Sequence, residues 1–109
     1  MLYAVTAEAI DLNSPPDVIL MIVEQQVIPS LQILDQLEKA GKIKGGVWSG
    51  YRGGTMIVNA ATNEEVNEIL IALPFWGIHR WDVTPLHSWS AEVKSATGLA
   101  QNLRKQLGK

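Results

Sequence analysis

The chain contains no cysteine. That excludes a disulfide framework, a thiol nucleophile and a cysteine-bound metal, and leaves the redox compartment open. It also lacks an excess of one charge, since nine basic residues against eleven acidic ones leave a net −2. No broad positive field results, so nucleic acid is not an expected partner. Long hydrophobic runs are missing too. The longest unbroken one, Val18 to Val23, falls far short of the roughly 20 residues of a membrane span. The N-terminal MLYAVTAEAIDL has no basic leader or small-residue cleavage pattern and reads as a strand, so a cytoplasmic protein with no membrane partner is expected. Histidine is scarce: His79 and His87 are alone and have no supporting carboxylate cluster, so no metal centre is predicted. A phosphate-cradling loop needs a following helix, and the glycine-rich stretch from Gly45 to Gly54 has none, so no cofactor is predicted either.

What remains is one domain's worth of α and β signals, 109 residues without repeats, low-complexity tracts or an interdomain linker. From Leu2 to Ile10 the side chains alternate, with Tyr3, Val5, Ala7 and Ala9 on one face and Leu2, Ala4, Thr6 and Glu8 on the other. Neither face is strongly polar, which predicts a central strand covered on both sides. A helix should follow, capped by Ser14 with Asp17 three residues on, Pro15 in its first turn and Gly41 as its stop. Pro29 inside it predicts a kink near Ile28. Val18 to Val23 are apolar all round, which fits either burial against another subunit or a local core under the C-terminal segment.

Lys42 to Arg52 alternates again, with Ile43, Val47 and Tyr51 on one face and Lys44, Trp48 and Arg52 on the other. Gly53-Gly54 reads as the turn of a hairpin whose second arm is Thr55 to Ala60. Glycines 45, 46 and 50 weaken the first arm, as at a bulge or a close approach to a ligand. Thr62 to Glu65 is a capping box that opens a short helix, Pro74 ends it, and Ile78 to Leu86 returns as the last strand. The order β-α-β-β-α-β is the ferredoxin-like α+β arrangement, with two helices on one face of an antiparallel sheet. Residues 1–87 are predicted to form this domain and residues 88–109 a C-terminal helical extension, helical from Ser90 to Leu107.

Two helices cover one sheet face only. Strand parity puts Lys44, Trp48 and Arg52 on the open face, together with either Arg80 and Asp82 or His79 and Trp81. A tryptophan on an open face predicts that two subunits pack these faces together around a part-polar pocket, giving a homodimer or larger homo-oligomer.

Several motifs also carry a resemblance. The EKAGKIKG end of the first helix, the hairpin through Trp48 and Gly50, TNEEVNEIL, and Leu73-Pro74 followed by DVTPL at 82–86 are similar to the muconolactone isomerase family of dimeric α+β barrels. The resemblance implies barrel-forming dimers, often in larger rings, with a ligand site near the subunit interface. It also implies cofactor-free proton transfer within a small carboxylated lactone. The chain departs from the family at Val27-Ile28-Pro29-Ser30, where relatives carry acidic and basic residues, and in its tail beyond Leu86.

Among candidate site residues, His79 is the general acid or base, because its ordinary pKa is near 6.5 and aromatic residues surround it in sequence. Arg52 and Arg80 are the candidate holders of a small anionic ligand by two-pronged hydrogen bonds. Trp48 and Trp81 are the candidate walls for a flat ligand, with Trp76 as a third. Glu8 and Glu24 are alternative bases, and His87 is expected at the surface. The non-catalytic alternative is an oligomeric binding or scaffold protein on the same fold.

Overall fold

The computed structural model describes residues 1–10, 13–50 and 52–109. Four strands, β1 (Leu2–Ala9), β2 (Ile43–Val47), β3 (Gly53–Asn59) and β4 (His79–Pro85), form one sheet in the order β2-β3-β1-β4. Every neighbouring pair is antiparallel. Helices α1 (Pro16–Ile22), α2 (Ile28–Lys39) and α3 (Asn63–Ile71) belong to the two crossovers, and α4 (Trp89–Gln106) follows the sheet. This is the ferredoxin-like arrangement with an added C-terminal helix.

The register resolves the face left open by parity. Tyr3, Val5, Ala7 and Ala9 stand opposite Pro85, Val83, Trp81 and His79 on one side and opposite Val58, Met56 and Gly54 on the other. Tyr3, Val5 and Val58 are buried in the core with Val66, Leu70 and Leu73 of the α3 region, so this is the helix-covered face. Each such side chain contributes roughly 1.5–3 kcal/mol on burial. Arg80 and Asp82 pair with Glu8 and Thr6, and alternation puts them on the open face.

Several local expectations are corrected. The first helix does not use the Ser14 and Asp17 box: Pro15 occupies the N-cap with no side-chain bond, and Pro16 begins the helix. Proline suits this place because the first helical N–H groups lack an intrahelical partner anyway. The break near Ile28 takes the form of a π-helical turn, Val23–Val27, in which the Ile28 N–H reaches Val23 O. The wider turn relieves the push of the Pro29 ring on the preceding turn. The helix thus continues as one rod from Pro16 to Lys39, long and apolar enough by length and composition to cross a membrane, which the short run Val18 to Val23 did not suggest. Its second half lies on the core through Ile33, Leu34 and Leu37.

The hairpin turn also lies earlier than expected. β3 already begins at Gly53, so Gly53 and Gly54 are strand residues, and Gly50, with φ +73°, supplies the left-handed position. Gly53 is needed for another reason: a Cβ there would lie 2.5 Å from the Trp48 ring, which packs across it. The expected facing of Tyr51 lies outside the described residues. The Thr62 box forms, with Glu65 N donating to Thr62 Oγ1 at 3.2 Å and the Glu65 carboxylate accepting from Ala61 N at 2.7 Å.

Candidate functional site

A cavity of about 490 Å³ opens between the sheet and the α1–α2 rod. It forms because the sheet offers almost no side chain there. Ala7, Ala9, Gly45 and Gly54 share this face around the cavity, and they leave the space under the rod unfilled. The floor is Val5, Ala7 and Met56, the ceiling Val23, Val27, Leu31 and Leu34, and the end wall Phe75, His79 and Trp81. Arg52, Asp35 and Glu38 bring charge to a cavity that is otherwise mostly apolar. The cavity therefore lies on the helix side within one chain, whereas the sequence pointed to a pocket between open sheet faces.

His79 is held by its neighbours. Its Nδ1 lies 3.0 Å from Phe75 O. A carbonyl only accepts, so Nδ1 carries a proton in this contact and Nε2 is the nitrogen left for chemistry. Phe75 packs on the imidazole with centroids 4.3 Å apart, and Trp81 lies 5.6 Å from the imidazole and 6.0 Å from Phe75, so the three rings form a triangle. Trp81 is fixed in turn, its Nε1 donating to Trp76 O at 2.9 Å.

The corner that carries this cluster is tied to the rod. Ser30, wholly buried, donates to Gln26 O at 2.6 Å and accepts from Phe75 N at 2.9 Å. One hydroxyl thus joins the first turn of α2 to the residue whose carbonyl orients His79.

Of the five residues singled out from the sequence, the cavity gathers three, His79, Arg52 and Trp81. Trp48 lies on the open face, its Nε1 donating to Thr55 Oγ1 at 2.7 Å, and Arg80 lies on that face opposite Glu8. Glu8 therefore faces away from the cavity. Glu24 is exposed in the π-helical turn. His87 is at the surface as expected, 3.6 Å from Glu92. Asp35 and Glu38, also at the cavity's edge, are exposed. Asp35 pairs with Lys39 at 2.8 Å, which holds the Lys39 ammonium above its usual pKa, and Glu38 accepts from Gly45 N at 3.3 Å. Their spacing from Leu31 and Leu34 sets them beside the cavity while leaving them in water, since residues three and four apart share a helix face.

The sequence profile of the muconolactone delta-isomerase family matches residues 1–92. The chain belongs to this family. The profile ends inside α4, so most of that helix lies beyond the family's shared part. Among solved structures, muconolactone isomerase is similar with a TM-score of 0.65 at 14% identity, over 81% of this chain and 90% of that one. A 5-chloro-2-hydroxyhydroquinone dehydrochlorinase from Burkholderia phenoliruptrix, in complex with 2,5-dihydroxybenzoquinone, is similar with a TM-score of 0.59 at 19% identity, over 83% of this chain and 97% of that one. At such identities these two likenesses carry the fold and not the reaction. No curated protein matches the chain significantly.

Proposed function

We propose that this member of the muconolactone delta-isomerase family moves a proton within a small carboxylated lactone or similar ring, without a cofactor, in the cavity under the α1–α2 rod. The observation that carries the reading is His79, whose Nδ1 is engaged by Phe75 O, so that Nε2 is the nitrogen available to a ligand in the mostly apolar cavity that His79 and Arg52 line. Arg52 holds the substrate carboxylate with its guanidinium fork. Phe75 and Trp81 wall the flat ring. Nε2 takes the proton from the carbon made acidic by the lactone carbonyl and returns it two carbons away, so the double bond shifts and nothing is added or lost. The dehydrochlorinase likeness, a protein solved with a quinone, is consistent with a flat oxygenated ring in a cavity of this kind.

The proposed assembly is a homodimer packed through the open sheet faces, where Trp48 and Arg80 meet the second subunit, in a cytoplasmic setting. The test is turnover of a panel of carboxymethyl-substituted five-membered lactones in deuterated water, followed by NMR. Isomerisation with deuterium entering at the new position is expected, and His79→Gln should slow it by about 10²-fold or more. Turnover unchanged in His79→Gln would remove the histidine from the mechanism. The second reading, a non-catalytic scaffold on the same fold, draws on the exposed apolar α4. It predicts no turnover of any lactone by a stable oligomer.

A further inference from the structure

Two apolar surfaces of this chain have no cover among the described residues. The first is α4, none of whose residues is buried: Trp89 is 90% exposed, and Val93, Leu99 and Leu103 are exposed, as is Leu107 just past its end. A compact chain of about 100 residues has a radius of gyration of about 13 Å. Here it is 19.2 Å, and the molecule measures 69 × 31 × 24 Å. The second surface is the outer side of the α1–α2 rod, where Ile19, Leu20, Met21, Val23, Ile28 and Leu31 are exposed. Val23 and Leu31 also line the cavity, so this surface continues into its mouth.

The two surfaces match in charge. α4 and its tail carry Lys94, Arg104, Lys105 and Lys109 against the single acid Glu92. The rod carries Asp17, Glu24, Asp35 and Glu38 against the single base Lys39. They are badly placed to meet within one chain. β4 runs from His79, beside Ala9, to Pro85, beside Tyr3. α4 therefore leaves from the end of the sheet away from His79, about 20 Å along the strand. Because β4 is an edge strand, α4 starts at the border of the sheet, beside any subunit packed on the open face.

We propose that α4 of one copy of this chain lies along the α1–α2 rod of a second copy and roofs the mouth of its cavity at Val23 and Leu31. The roof rests on the site reading given above; the docking itself does not. An 18-residue helix is about 27 Å long and roughly 10 Å across with its side chains. Reciprocal exchange covers four such faces, about 1,100 Å² in total, which is just above the roughly 1,000 Å² that a specific interface needs.

The absence of native cysteine makes the test direct. Full-length V23C is mixed under mild oxidation with full-length L99C or L103C, and the products are read by mass spectrometry. The expected result is a mixed disulfide between the two different chains. In the doubly substituted chain, a disulfide closed within one molecule would overturn the proposal. In light scattering, wild type should be a dimer or larger at micromolar concentration. The triple variant K94E/R104E/K105E should weaken association by about tenfold or more, as for loss of several complementary charges. Adding D17K and E24K should restore it, with far-ultraviolet circular dichroism confirming that each variant is folded. A monomeric wild type, or association indifferent to both reversals, would overturn the docking. So would sedimentation of wild type with anionic phosphatidylserine vesicles that the triple variant loses, because α4 would then serve a membrane surface. None of these readouts uses a substrate, so the docking and the proton-transfer reading fail separately.

Discussion

Replacing Ser30 by alanine tests whether one buried hydroxyl holds the site to the fold. The hydroxyl bridges Gln26 O and Phe75 N at 2.6 and 2.9 Å, in a residue with no exposed surface. In Ser30→Ala the Phe75 N–H, in a residue 7% exposed, loses its hydrogen-bond partner without gaining water. A buried donor left in this state costs about 1–3 kcal/mol. Unfolding entropy of about 2.1 cal/mol/K per residue gives roughly 0.23 kcal/mol/K for 109 residues. The melting temperature should therefore fall by about 4–13 °C, read by circular dichroism, while Ser49→Ala at an exposed position changes it little. The site should respond with the fold, because the Phe75 carbonyl orients the His79 ring. Imidazole nitrogen NMR should show the Nδ1-protonated form losing population in the variant. A melting shift below about 1 °C, equivalent to a few tenths of a kcal/mol, would refute the bridge as a structural element. A large shift with unchanged imidazole signals would refute its link to His79.

Three further outcomes follow from the same geometry. Ala7→Leu adds apolar volume to the empty space under the rod, so it should leave the melting temperature equal or higher while abolishing ligand binding by calorimetry; clear destabilisation would mean that the space is not there. Arg52→Met should raise KM for a carboxylated ligand by about tenfold or more while changing turnover of an uncharged analogue little, and an equal loss for both would argue against carboxylate recognition. Glu65 is held below the usual carboxylate range first by its hydrogen bond from Lys42 and then by the Ala61 N–H. A depressed native pKa favours folding at pH values above the ordinary carboxylate pKa, and the advantage is lost as pH falls through the native value. Glu65→Gln should therefore flatten the acid side of the stability profile below about pH 4.5, seen in urea melts at stepped pH, whereas an unchanged profile would remove the pair from acid sensitivity.

The fold was legible because its signals were local and redundant. Alternation in Leu2 to Ile10, the Thr62 box and Pro74 each marked an element without reference to the others. The hairpin turn was misplaced because two adjacent glycines gave a stronger turn signal than Gly50. Gly53 is instead a strand residue opposite Glu8, where the Trp48 ring lies in the place of a Cβ, and such a contact across a turn leaves no periodic trace. The π-helical turn was legible as a break at Pro29 but not as a widened turn, since widening also depends on what the rod must cover. The cavity was missed because it is made of absent side chains: alanines in β1 and glycines in β2 and β3 read separately as weak strand residues, and only the register aligns them under the rod.

That register also decides which half of the aromatic, ionisable segment around β4 can serve the cavity. A strand shifted by one residue exchanges every side chain between the two faces. With Trp81 opposite Ala7 and His79 opposite Ala9, the larger groups of β4 stand over the smallest of β1, and together they leave a cavity with an imidazole at its end. The opposite register would set Arg80 and Asp82 against those alanines and put two charges under an apolar rod lined by Val27, Leu31 and Leu34, which burial opposes. The same apolar rod that selects His79 and Trp81 for the cavity thus leaves Arg80 and Asp82 to the open face, beside Glu8 and Thr6. A cavity ending in an imidazole on one face and a charged, uncovered surface on the other are two consequences of a single pairing register.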